Sequence, residues 1–492
     1  MGKLNFKGAH VLSAAVCAVL FANVCEAQYM EPGKIGDIKS WETDEYKAYW
    51  GLGSMNASVA YAKGATGKGV KLGVVDSGML LSHQEFTGSR ITGTTAKGEY
   101  SQDGMRYPDA EYGNAPFKQK NSDEKDRTNK GEFKKGQKFE TNGDWIAGVN
   151  DSHGTHVGGT IAANRDGSGT HGVAWESRLY SGNTGGNDGM TYGPNQDYGY
   201  FYAVYNELAK SGVRAINNSW GSNRRVNSSY PGAEGYGGTP GTAANPTEPK
   251  HHLYLRDLNA AKKAYYQFVA GGQKSFIDAA YEVAKKYRII QVFTAGNRDG
   301  MEESYTRAML PYFRPDAEKL WLNVTGQTDS NTQRFNTAGH SKWWTIAAPG
   351  VKVKSSIVDV KTGKAGYASW GGTSMAAPHV TGALGVIMSR YSYMTNEQAR
   401  DVLLTTARQT KYSFKKGDTS RLSGWTSELG VPDKRWGWGI VDLGKAMFGP
   451  GQFLGKFDVN MDVDDVWSND ISDKAIKFRK TEDDADAAAW AV

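Results

Sequence analysis

Apolar residues along this chain gather in short runs that alternate with amphipathic stretches. Val70 to Val75 is one such run, and it ends in Asp76-Ser77-Gly78. That pattern predicts a buried strand followed by a turn. Ile289 to Thr294 is a second run, ending in Ala295-Gly296-Asn297. Residues 51–63 read as a helix, with a loop from Gly64 to Gly69. Residues 254–287 carry helical spacing: Leu255, Leu258, Ala261 and Tyr265 share one face, and Phe276, Ala279, Ala280 and Val283 follow. Met375 to Ser389 predicts a helix with Ala376, Val380, Ala383 and Ile387 facing inward. Thr395 and Gln398 form a capping-box pattern for the next helix. Strands alternating with helices predict an α/β fold, a mainly parallel sheet with helices on both faces.

Polar stretches interrupt this pattern. Residues 91–144 are rich in Lys, Glu, Asp, Asn and Gly and show little apolar periodicity, so they read as a long surface insertion. A second insertion spans 222–287, polar to residue 250 and helical beyond it. Residues 449–492 open with Gly449-Pro450-Gly451, then turn acidic and alanine-rich, as a linker or the start of a further region would. No internal repeat is evident.

The N-terminus has the form of an export signal. Lys3 and Lys7 precede an apolar core from Val11 to Val24, and Cys25-Glu26-Ala27 suits cleavage after Ala27. That core is too short to favour a membrane span, and none is expected in the mature chain. Both cysteines, Cys17 and Cys25, fall inside the signal, so the exported chain would hold no disulfide. The chain has 492 residues, 39% of them hydrophobic, enough for a large core. Its net charge of +6 comes from 58 basic and 52 acidic residues. Without basic runs interleaved with aromatics, this modest excess does not point to nucleic acid.

Three segments carry candidate chemistry: Gly73-Val74-Val75-Asp76-Ser77-Gly78, Asp151-Ser152-His153-Gly154-Thr155-His156-Val157, and Gly372-Thr373-Ser374-Met375-Ala376-Ala377-Pro378. They supply an Asp, a His and a Ser in that order. A serine hydroxyl is a poor nucleophile at neutral pH; an imidazole must take its proton and a carboxylate must orient the imidazole. Each segment has a plainer reading alone: a turn-forming Asp, a packed core His, a helix-capping Ser.

Together the segments resemble the motifs of the subtilisin-like serine proteases, the subtilases, from about Trp50 to about Phe448. The resemblance implies the subtilisin-like fold and assigns roles by position. Asp76 would orient the base, and His153, the first histidine of His-Gly-Thr-His, would be that base. His156 would be a packed core residue. Ser374 would be the nucleophile, its N–H one oxyanion donor. Asn297, after Ala-Gly at a strand end, would supply the other donor. Ser219, Trp220 and Gly221 resemble the strand that pairs with extended substrate, with Trp220 where the family has leucine. Ala295 and Gly296 would form the facing wall of the pocket for the P1 side chain, the one before the scissile bond. Arg298 would lie at its mouth and disfavour basic P1 residues. Asp166 and Glu85 fall near positions that ligate calcium in some relatives, but a metal-free polar turn is the simpler expectation.

The resemblance divides the chain into a signal (1–27), an N-terminal extension (28–49), a catalytic domain (50–448) and a C-terminal linker or further region (449–492). The extension leaves no room for a folded prodomain. The ending Trp436-Gly437-Trp438-Gly439-Ile440-Val441-Asp442, with Trp467-Ser468-Asn469-Asp470, is similar to subtilase passengers of Gram-negative autotransporters. The expected protein is thus a secreted or surface-displayed serine endopeptidase. It would be a monomer acting on proteins or peptides and need no cofactor for catalysis. The competing reading is a subtilase-fold adhesin or antigen that no longer cuts.

Overall fold

A computed structural model describes residues 33–105, 132–147, 149–185, 197–221, 274–301, 303–408, 432 and 434–448. The predicted signal with both cysteines, the helical pattern predicted over 254–273 and the tail beyond Phe448 lie outside the described residues.

The strands in chain order begin with β1 (Lys71–Asp76), β2 (Ile91–Gly93), β3 (Thr95–Glu99), β4 (Gly104–Met105) and β5 (Glu132–Phe133). There follow β6 (Lys138–Asn142), β7 (Arg178–Asn183), β8 (Ala215–Asn218), β9 (Ile290–Thr294) and β10 (Trp321–Gln327). The last are β11 (Gln333–Arg334), β12 (Thr345–Pro349), β13 (Val353–Asp359) and β14 (Lys364–Trp370). One sheet runs β11-β10-β9-β8-β1-β7-β2, with β12 also paired to β10. Every pairing in it is parallel except β10 with β11.

Helices cover both faces. Leu72 of β1 approaches Gly385 of the helix Thr373–Arg390. Val75, of opposite parity, pairs with Gly182, which lies under Val204 of the helix Tyr198–Lys210. The helix Thr373–Arg390 packs against β8, β9, β10, β12 and the helix His153–Ala162. It is buried on every face from Thr373 to Met388, not on the single stripe that the apolar spacing predicts. The capping box at Thr395 is present.

Two expectations are corrected. Residues 51–63 form two short helices, Gly51–Ser54 and Ala57–Ala62. Between them Asn56 takes φ 53°, a left-handed conformation that asparagine tolerates better than most residues. Its side-chain amide donates to Asp442 at 2.9 Å, and Leu443 N–H bonds the Met55 carbonyl, so the far end of the domain holds the break. The stretch 91–144, within its described parts, is also built of strands: β2 extends the main sheet and β3 pairs with β6. Tyr100 stacks on Phe133 at 4.1 Å and, with Phe139, packs near Tyr200. Few apolar residues suffice there because they converge on one helix.

Residues 33–49 join the same core, with Trp41, Tyr46 and Tyr49 buried. No described helix is long and apolar enough to cross a membrane.

Candidate active site

Asp76 ends β1, and His153 opens the helix His153–Ala162. His153 Nδ1 lies 2.8 Å from Asp76 Oδ1, both side chains being buried. A carboxylate only accepts, so Nδ1 carries the hydrogen and Nε2 keeps a lone pair. Ser77 N–H also donates to Asp76 Oδ1, at 2.8 Å. Asp151 ties the turn to the helix: its Oδ1 accepts from the Ser77 hydroxyl at 2.7 Å and from His153 N–H at 2.9 Å. The Ser77 hydroxyl in turn accepts from Gly154 N–H. A Cβ on Gly154 would stand 2.3 Å from the Gly78 carbonyl oxygen, so glycine lets the helix meet the turn.

His156 lies deeper. Its Nε2 bonds the carbonyls of Val353 and Ala368 on β13 and β14, and its ring stacks on Trp370 at 4.6 Å. Burial drives its pKa down to about 3, so it is a neutral structural clamp on the hairpin.

Ser374 stands in the first turn of its helix, where backbone N–H groups have no intrahelical acceptor. Asn297 caps that turn from another strand end: its Oδ1 accepts from Thr373 N–H at 2.8 Å and from the Thr373 hydroxyl at 2.7 Å. With the carbonyl oxygen so held, the amide NH₂ of exposed Asn297 is oriented as a donor.

The Ser374 hydroxyl donates to the Ser219 carbonyl at 2.9 Å, while the Ser219 hydroxyl donates to the Ser374 carbonyl at 2.8 Å. Pro378 makes the second bond available. It lacks the N–H that would claim the Ser374 carbonyl in a regular helix. Asn217 Nδ2 supports the Ser219 hydroxyl at 2.9 Å.

The Ser219–Gly221 segment leaves β8 and the Ala295–Gly296 segment leaves the adjacent β9. Trp220 turns its side chain into the core, stacked on Phe201 at 4.8 Å and near Phe276 at 4.6 Å. Only its backbone is left to meet a ligand. Arg298 is half-buried, its N–H held by Asn336 Oδ1 at 2.8 Å.

Glu85 and Asp166 come together, and Glu45 joins them, with one ligand atom from each within 4.8 Å of the others. Glu45 Oε1 and Oε2 accept from the N–H groups of Asp166 and Gly167. Glu85 Oε1 accepts from Tyr367, and its buried Oε2 has no hydrogen bond among the described residues. Burial, helped by the Asp166 charge, pushes the Glu85 carboxyl up to about 8. Once Glu85 gives up its proton, three carboxylates so close together would fit a hard cation such as calcium.

Several participants had no distinct signal in the chain. Ser77 and Asp151 flank the motif residues and could have been suspected from that position. Nothing local marks Glu45 or Trp370.

The subtilase family pattern matches residues 67–439. The chain is 31% identical over 459 residues to an extracellular serine protease of Serratia marcescens, covering 88% of this chain and 37% of that protein. It is 28% identical over 293 residues to the Neisserial autotransporter lipoprotein NalP of Neisseria meningitidis serogroup B, covering 54% of this chain and 23% of that relative. Against subtilisin DY of Bacillus licheniformis it is 24% identical over 371 residues, covering 75% of this chain and 94% of that one. The chain thus spans little more than a third of the length of the Serratia relative.

Proposed function

The chain belongs to the subtilase family, and from that premise we propose that it is an exported serine endopeptidase cutting peptide bonds in proteins. The observation that carries the reading is the buried 2.8 Å contact between Asp76 and His153, which leaves Nε2 as a base.

In the reaction the Ser374 hydroxyl turns from the Ser219 carbonyl to His153 Nε2. As the base takes its proton, Oγ attacks the substrate carbonyl. Asp76 keeps the imidazole in the required tautomer and stabilises the imidazolium that forms. Negative charge on the carbonyl oxygen is met by the Asn297 amide and the Ser374 N–H. His153 Nε2–H then protonates the leaving amine, and water, activated by the same base, releases the acyl group. The extended substrate would run along the Ser219–Gly221 backbone, with Ala295 and Gly296 facing it. No redox or nucleotide cofactor enters these steps. Export is supported by the signal pattern and by the extracellular relative.

A fluorophosphonate probe tests the reading. The wild-type chain should take the label and hydrolyse casein, and Ser374→Ala should do neither. A chain that takes no label and leaves casein intact would instead be a non-cutting surface protein. N-terminal sequencing of the exported chain should begin at Gln28.

A further inference from the structure

The two wall segments share a feature that the motifs do not explain. Gly221 and Gly296 both adopt φ 128°, and each is pressed from beneath by a side chain of one short stretch. A Cβ on Gly221 would stand 2.5 Å from Arg307 Cδ, and a Cβ on Gly296 would stand 2.4 Å from the Tyr305 ring. Tyr305 and Arg307 are two residues apart, and the guanidinium lies 5.3 Å from the Tyr305 ring centroid.

The same stretch fastens both walls. Tyr305 N–H donates to the Ala295 carbonyl at 2.8 Å. Arg307 Nη1 donates to the Gly221 carbonyl at 3.0 Å, Nε to the Thr294 carbonyl at 3.0 Å, and Nη2 to the Thr294 hydroxyl at 2.9 Å. Both side chains are nearly fully buried, at 3% and 4% exposure, so their atoms fill the space under the walls. Trp220 points away into its aromatic cluster and adds nothing to the slot.

We propose that Tyr305 and Arg307 form a raised, positively charged floor to the P1 pocket, which selects substrates with short, uncharged P1 side chains. The inference rests on the endopeptidase reading above. A ring and an aliphatic stem under the two glycines leave little depth for an aromatic or long aliphatic side chain. The guanidinium repels Lys and Arg at close range, where little water screens it. The fork of donors across Gly221 and Thr294 also prevents the walls from parting to admit a larger group.

Peptides identical except for Ala, Leu, Phe or Lys at P1 test this, with fluorophosphonate labelling run in parallel. The wild-type chain should show its highest kcat/KM with Ala and its lowest with Lys. Arg307→Ala should raise the Phe-to-Ala ratio of kcat/KM about tenfold or more. Arg307→Lys, which keeps stem and charge, should keep the wild-type order. A labelled wild-type chain that prefers Phe or Lys overturns the floor assignment even if Arg307→Ala does not fold. So does a folded Arg307→Ala with an unchanged ratio. A chain that takes no label refutes the endopeptidase reading, and the pocket falls with it.

Discussion

Asn297 has two duties on one amide group. Its oxygen caps the Ser374 helix, and in the proposed reaction its nitrogen would donate to the developing oxyanion. Substitutions can separate them. Asn297→Asp keeps the acceptor for Thr373 and removes the donor, so the fold should hold while kcat falls. Asn297→Leu removes both. The expected loss in kcat is about 10²–10³, the size known for the corresponding asparagine of subtilisin, a member of this family. KM should change little. A melting temperature that falls for Leu but not for Asp would confirm the cap, and a change confined to KM would refute the oxyanion role. For Ser374→Ala the expected loss is about 10⁶ in kcat, again the subtilisin value, measured as casein hydrolysis by purified protein.

Elements meet here through groups that regular structure leaves over. Pro378 frees one carbonyl of its own helix, and Ser219 takes it, so a strand end and a helix start are locked together at Ser374. Residues 33–49 act similarly on the loop after the His153 helix. Glu45 reaches the N–H groups of Asp166 and Gly167, and Trp41 lies against the Arg165 guanidinium at 4.9 Å. With Glu85 beside them, calcium should raise the melting temperature by several degrees, and a chelator should reverse it. Binding must displace the Glu85 proton, so the gain should grow as pH rises toward 8. Glu45→Gln should shrink it. Melting curves that coincide with calcium and with chelator would remove the cation from this site.

For the molecule as a unit, acid is the exposed weakness. His156, His171 and His379 are fully buried, and burial lowers their pKa values to about 3, about 3 and about 4. The unfolded chain binds protons near pH 6.5 that the folded chain refuses. Their contribution is therefore complete above pH 6.5 and is lost as pH falls toward 4 and then 3. The slope is about 1.4 kcal/mol per pH unit for each histidine in its window. Urea unfolding between pH 6.5 and 4.5 should show midpoints falling with pH. His171→Gln should make that fall shallower. A midpoint that is level across this range would mean that the histidines are protonated in the fold.

Much of this was legible along the chain because it is encoded locally. The runs before Asp76 and Asn297 become β1 and β9, since a short apolar run between turn residues has few other uses. The Thr395–Gln398 box caps a helix through residues three apart. Asp76 and His153 were linked by motif alone, and the fold brings them to 2.8 Å. The rest depends on partners far away in sequence. The break at Asn56 is held by Asp442, the all-round burial of the Ser374 helix follows from what surrounds it, and the strands of 95–105 rely on residues 132–142 and on Tyr200. Glu45 meets Glu85 and Asp166, and Arg307 meets Gly221, only once the sheet has ordered its strands. Periodicity reports which face of a segment is apolar; it carries no information about which distant polar group will stand opposite. The elements and the pairing of Asp76 with His153 could therefore be named in advance, whereas the Glu45–Glu85–Asp166 cluster, the Asn297 cap and the contacts of Arg307 with Gly221 arise from strand order and packing.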